Sequence, residues 1–291
     1  VTVEILGTTF QNPVLLAAGT CGFGEELSDV LPLDELGGIV TKSVTLEPRG
    51  GNPAPRVAEF GGGMINSVGL ANPGARAVRA EKLPWLASHL RRARVLVSVA
   101  GHTAGEYVEV VRILDDADGF HAFELNLSCP NDTRRGGLPF ALDPEALPGV
   151  VEAVRAITQR PLVVKLAPNT PDIASMAVLA VEAGADGITA VNTIPGLVME
   201  PEDGRTRLGA GQGGVSGPAL LAVGVHAVTR IRARLDVPIL GVGGIGTAGD
   251  AIQYLRAGAQ MVQVGTQSFA DPRAALGIAR ALSRTPSPVP A

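Results

Sequence analysis

Three lysines stand against 21 arginines in this 291-residue chain, and two of the three interrupt apolar runs: Lys42 in IVTKSV and Lys165 in VVKLAP. A lone cation in an apolar strand can lie at an edge, with its stem on apolar surface and its amine in water. It can also point to a place where an anionic ring or oxyanion is held. Two of only three lysines at such positions favour the second reading. Cys129, in FELNLSCPN, lies where an apolar run meets a polar loop, with Asn126 and Asn131 beside it and Gly136 and Gly137 as candidate hinges. A thiol there is either a small buried hydrophobe or a group placed for proton transfer. The residues alone leave both readings open. Cys21, in GTCGFG, has no such neighbours and is read as structural.

Four amides, Asn66, Asn126, Asn131 and Asn192, form a second set. Singly, each suits a turn or cap. Together they suit a small planar ligand with alternating C=O and N–H groups, because a carboxamide both donates and accepts. The glycines near the end are a third set: GVGGIG from Gly241 to Gly246, and VGT from Val264 to Thr266. In a barrel, the loops after the last two strands often hold a phosphate on backbone N–H groups. GVGGIG and GAGQGG (Gly209 to Gly214) also satisfy G-x-G-x-x-G. The first has no acidic residue about 20 positions on, and the second follows a polar loop, so neither reads as a dinucleotide fingerprint. The four histidines are scattered without metal-ligand spacing, and no metal is assigned.

These groups need elements to position them. Eight short apolar runs recur, closing at Gly19, Val44, Gly101, Cys129, Pro168, Thr193, Ile245 and Thr266. Amphipathic stretches lie between most of them, such as ALPGVVEAVRAITQ, DIASMAVLAVEAGA, PALLAVGVHAVTRIRARL and TAGDAIQYLRAGA. Eight alternating units predict an α/β fold, a (β/α)8 TIM barrel in one domain spanning 1–291. An open doubly wound sheet is the runner-up. Long loops after the second, fourth and sixth strands are expected to cover the mouth. VTVEILGTTFQNP reads as a small hairpin at the barrel floor, and about 285–291 as a frayed tail.

Composition agrees. The chain is 46% hydrophobic but only 3% aromatic, so the core must come from aliphatic residues, as in strands buried on both faces. A net charge of −4 gives no reason to expect nucleic acid or an anionic membrane. Two cysteines build neither a disulfide framework nor a four-cysteine metal site. No apolar run reaches membrane-spanning length and the first residues do not read as a signal peptide, so a cytoplasmic setting is expected.

ELNLSCPN, KSVTLEPRGGNPAPR, INSVGLANPG, VNT, GGVSGPA and VGGI together make a chain that resembles the soluble, class 1 dihydroorotate dehydrogenases, from about Gly19 to Pro272. GFGEE and EKLPWL look like class 1B, whose catalytic chain works with an electron-transferring subunit. The resemblance implies FMN as cofactor and the oxidation of dihydroorotate to orotate in pyrimidine biosynthesis. It implies Cys129 as the base at C5 and transfer of hydride from C6 to N5 of the flavin. It places Lys42 against both flavin and substrate. Asn66, Ser67, Val68, Gly69, Leu70, Asn126, Asn131, Asn192 and Thr193 would surround the pyrimidine. Lys165 would face the flavin N1/O2 edge, with Asn126 also at the cofactor. Ala18, Gly19, Ser43, Ser98, Val191, Ser216, Gly217, Gly243, Gly244, Gly265 and Thr266 would hold the rest of FMN. It also implies a homodimer core and a partner carrying FAD and an iron–sulfur cluster, with NAD as acceptor. Ser98 stands where class 1B chains often carry Asn, and Thr20–Cys21 where a Cys–Phe pair is expected. The alternatives are a fumarate-linked class 1A enzyme, another pyrimidine flavoenzyme such as a dihydropyrimidine dehydrogenase, and a non-redox or silent phosphate-binding barrel.

Overall fold

The computed structural model describes residues 2–127 and 138–284. Cys129 and Asn131 lie outside the described residues, as does the tail from 285.

All eight apolar runs form strands, and the strands close into a parallel barrel. They are β1 (Val14–Leu16), β2 (Gly38–Val40), β3 (Arg94–Val99), β4 (Ala122–Asn126), β5 (Leu162–Leu166), β6 (Gly187–Ala190), β7 (Ile239–Val242) and β8 (Met261–Val264). Each strand pairs with its sequence neighbour, and β8 returns to β1 with Val262 opposite Val14. Side chains alternate between the barrel interior and the helices outside, which is why the strands are apolar on both faces.

The helices are α1 (75–89, with a π turn at Val78–Lys82), α2 (Ala104–Leu114), α3 (Leu147–Arg155), α4 (Ile173–Glu182), α5 (Leu220–Arg232), α6 (Ala248–Arg256), α7 (Gln267–Ala270) and α8 (Ala274–Leu282). Their starts are marked by polar caps. Thr103 accepts from Glu106 N–H, Asp172 accepts from Ala174 and Ser175, and Thr247 forms a capping box with Asp250. No α-helix follows β1; two short 3-10 turns, Glu25–Leu27 and Leu33–Glu35, fill that place, and α8 packs against β1. No helix among the described residues is long and apolar enough to cross a membrane.

The N-terminal hairpin, Val3–Ile5 with Thr8–Phe10, closes the floor. Its Leu6 and Phe10 pack with Leu15, Val40, Leu96 and Val163, all fully or nearly buried inside the barrel. The hairpin's Leu6 carbonyl also meets His121 Nε2 at 2.7 Å.

The second and sixth loops depart from expectation. They contain strands: Val57–Phe60, Gly63–Asn66, Gly213–Ser216 and Ile194–Gly196 form one antiparallel sheet over the mouth. Its middle pairing joins residues about 150 apart in the chain, with Asn66 opposite Gly214.

Packing between α5, α6 and β7 centres on Tyr254, which is fully buried. Its hydroxyl donates to the carbonyls of Val242 (3.1 Å) and Gly243 (2.7 Å). A Cβ at Gly224 would collide with that hydroxyl, and one at Gly241 with the Tyr254 ring. Alanine is the better helix former by roughly 1 kcal/mol. Gly224→Ala is nevertheless expected to destabilise the protein by roughly 1–3 kcal/mol through overpacking. Thermal melts check this, and a raised midpoint would contradict it.

Candidate active site

The C-terminal strand ends and the sheet above them enclose one cleft. Lys42 and Ser43 enter it from the end of β2, Asn126 from β4 and Lys165 from β5. Val191, Asn192 and Thr193 follow β6. Asn66 and the turn Val68–Gly69–Leu70 reach the cleft from the sheet side. That turn bends sharply because Gly69 and Leu70 are both left-handed (φ 72° and 56°). For a leucine this backbone is unusual and is held by its surroundings.

The amides are oriented by the protein's own hydrogen bonds. Asn192 Nδ2 donates to Asn126 Oδ1 (3.2 Å), Asn126 Nδ2 donates to Ser43 Oγ (3.2 Å), and Ser43 Oγ shares a hydrogen bond with Ser98 Oγ (2.8 Å). Asn192 Oδ1 also accepts from Thr193 N–H at 2.8 Å. Behind them the Tyr107 hydroxyl donates to the Asn126 carbonyl at 2.8 Å, and the Tyr107 ring packs edge-on against Phe140. This chain of bonds fixes which carboxamide atoms face the cleft, and so which ligand edges they can read.

The far end of the cleft is made of backbone. Gly243 and Gly244 both have positive φ (124° and 70°), and Gly244 lies so close to the start of α5 that a Cβ would strike the Leu221 backbone. Gly265 and Thr266 line the same cleft, as do Ser216 and Gly217. A Cβ at Gly19 would meet nothing within 4 Å, and one at Gly265 only Ala17 Cβ at 3.6 Å. Here the missing side chains leave room for a ligand against the main chain.

Beneath the cleft lies a polar layer. Glu124, Thr189 and Gln263 are fully buried, and Lys165 is only 5% exposed. They point inward from four strands, directly above the apolar floor, by the two-residue period of Ala122–Glu124, Val163–Lys165 and Met261–Gln263. Lys165 Nζ lies 3.7 Å from Glu124 Oε1.

Most of the residues singled out from sequence line this cleft together, including Ala18, Gly19, Lys42, Asn126, Lys165 and Gly244. Ser98 does not; it is fully buried behind Ser43. Ser67 is also buried, accepting a 2.7 Å bond from Asn52 Nδ2. Cys21 is buried and donates to the Val40 carbonyl at 3.3 Å. Burial first, and then Glu26, push its thiol up to about 12. Sequence reasoning missed Glu124, Thr189 and Gln263, although Glu124 interrupts FELNL just as Lys165 interrupts VVKLAP. It also missed the rim residues Val57 and Phe269, which are about half exposed.

A (β/α)8 barrel with a glycine-built end pocket, a buried cation and oriented carboxamides at its mouth defines a site for a planar ligand that carries an anionic group. The chain belongs to the dihydroorotate dehydrogenase family, whose model matches residues 1–285. A relative from Thermodesulfovibrio yellowstonii, named dihydroorotate dehydrogenase B (NAD(+)), catalytic subunit, is 44% identical over 95% of this chain and 90% of its own. A relative from Solibacter usitatus, provisionally named dihydroorotate dehydrogenase A (fumarate), is 47% identical over 96% of this chain and 91% of its own. The solved dihydroorotate dehydrogenase of Eimeria tenella, in complex with ferulenol, superposes with a TM-score of 0.80 at 26% identity, over 97% of this chain and 83% of that one.

The family is flavin-dependent, and the cleft fits such a group. The open glycines would take a phosphate-bearing tail, Ala17, Ala18 and Val191 offer apolar surface to a ring, and Lys165 faces the cleft as a cation. Gly244→Ala adds a Cβ against the Leu221 backbone at a positive φ. It is expected to weaken flavin binding at least about tenfold, by distorting the end pocket. Fluorescence titration of the apoprotein with FMN checks this; unchanged affinity would remove the loop from the site.

Proposed function

We propose that this chain binds FMN in the cleft and oxidises dihydroorotate to orotate, passing electrons to NAD through a partner subunit. The single observation that carries the reading is the convergence of Lys42, Lys165 and the Asn66, Asn126 and Asn192 carboxamides on one cleft beside the glycine pocket. Bound FMN supplies the acceptor for the hydride that leaves C6 of the substrate.

The chain's own residues do the rest. Asn66, Asn126, Asn192 and Thr193 read the N–H and C=O edges of the pyrimidine, and Lys42 offers a cation to its carboxylate side. Asn131, outside the described residues, completes that set by resemblance. Lys165 faces the electron-accepting ring. Gly217, Gly243, Gly244, Gly265 and Thr266 hold the phosphate end. Cys129 takes the C5 proton. That role rests on the resemblance of ELNLSCPN to the family, and the buried Cys21, whose thiol burial pushes up, offers no second candidate. A cytoplasmic setting keeps that thiol reduced.

A thiol base works only as thiolate, and an ordinary cysteine titrates near pH ~8.5. Turnover with dihydroorotate and an artificial acceptor is therefore expected to rise between about pH 6 and 9. Cys129→Ala is expected to keep FMN but lose at least about a hundredfold in orotate formation, the usual worth of a general base. Wild-type turnover in that variant would remove Cys129 from the mechanism.

The names of the relatives support the acceptor. Two cysteines are too few for an iron–sulfur cluster, so the FAD and cluster of an NAD-linked route belong to the partner, around a homodimer of this chain. The Solibacter relative favours a second reading, direct reduction of fumarate. Purified chain that turns over with fumarate and without a partner supports the second reading. Turnover with NAD only after a flavin- and cluster-bearing subunit is added supports the first.

A further inference from the structure

We propose that Glu124 is a positioning residue: its carboxylate sets the place of the Lys165 ammonium that faces the cleft and offsets its charge, and so would tune the reduction potential of a flavin held there. The inference rests on the flavin reading above.

Glu124 does not touch the cleft; Lys165 does. Thr189 Oγ1 and Gln263 Nε2 both donate to the same oxygen, Glu124 Oε2, at 2.8 and 2.9 Å. Gln263 Nε2 also lies 3.4 Å from Thr189 Oγ1, closing a triangle. The other oxygen, Oε1, accepts no hydrogen bond among the described residues and faces Lys165 Nζ at 3.7 Å. That separation is inside ion-pair range but beyond a hydrogen bond. The carboxylate thus balances the ammonium without taking its N–H donors, and Lys165 makes no side-chain hydrogen bond to any described residue. Its donors are left for whatever lies in the cleft. Four strands contribute one residue each, so the barrel itself fixes the geometry.

A cation beside a ring favours the electron-rich form of that ring, and a counter-ion behind the cation moderates the effect. Glu124→Gln keeps the shape and an acceptor for Thr189 but removes the negative charge. The potential is read by anaerobic dye-coupled reduction at one fixed pH for wild type and variants. The variant is expected to bind FMN like the wild type and to favour the reduced form about tenfold more, a positive shift of about 30 mV for two electrons. In a Lys165→Met background the same substitution is expected to change the potential less than about threefold, because a buried carboxylate without its partner neutralises. An unchanged or more negative potential in Glu124→Gln, or an undiminished shift in the Lys165→Met background, overturns the proposal. If Glu124→Gln does not fold, Thr189→Val carries the test. It removes one of the two bonds on Oε2, strengthens the carboxylate's hold on Lys165, and is expected to favour the oxidised form at least about threefold; no movement overturns the proposal. A wild-type chain that takes up no FMN overturns the flavin reading and this proposal with it. A wild type that binds FMN while both variants keep its potential overturns this proposal alone.

Discussion

A buried ion pair inside the barrel, Glu124 with Lys165, is the constraint on which the site depends. Burying two charges is costly, and breaking such a pair by removing one partner typically costs roughly 3–5 kcal/mol. The pair is kept by a frame of hydrogen bonds from Thr189 and Gln263, each on a different strand. Below it the barrel is apolar and plugged by Leu6 and Phe10 of the hairpin. Above it the barrel opens. The interior therefore changes from hydrocarbon to charge to cleft within one strand length. The charged layer places a cation where a ligand's ring can use it.

The surrounding structure serves that cleft in two ways. On one side, Asn192, Asn126, Ser43 and Ser98 hand hydrogen bonds from strand to strand, and Tyr107 anchors the Asn126 backbone. On the other, Tyr254 holds the Val242 and Gly243 carbonyls while glycines let α5 and α6 come close. Both arrangements spend buried polar groups on rigidity, which suits a site that must present fixed donors and acceptors to a flat ligand.

The barrel was legible in sequence because parallel strands buried on both faces leave uninterrupted apolar runs. Lys165 was legible because lysine is rare in this chain and a charge in such a run is out of place. Glu124 was equally out of place, yet acidic residues are common here, 28 in all, and it was absorbed into the motif around Cys129. Ser98 illustrates a different limit. The resemblance placed it at the cofactor; in the fold it is fully buried and hydrogen-bonded to Ser43, a depth along the strand that a motif does not state. The sheet over the mouth left little trace, since its strands have three or four residues, one is GGVS, and its central pairing is non-local. Gly-poor, β-branched patterning is what marks a strand, and GMIN, IPG and GGVS lack it. The glycine-built end of the cleft was readable because glycine at Gly243 and Gly244 answers to a backbone need, a positive φ, that sequence states directly.

Anaerobic titration of the FMN-loaded protein with dihydroorotate tests the central claim most directly, because cofactor, substrate and redox role are read in one cuvette. Loss of the oxidised flavin absorbance in step with added dihydroorotate, with orotate formed mole for mole, is the result expected. Bound FMN whose spectrum stays oxidised in excess dihydroorotate would contradict it.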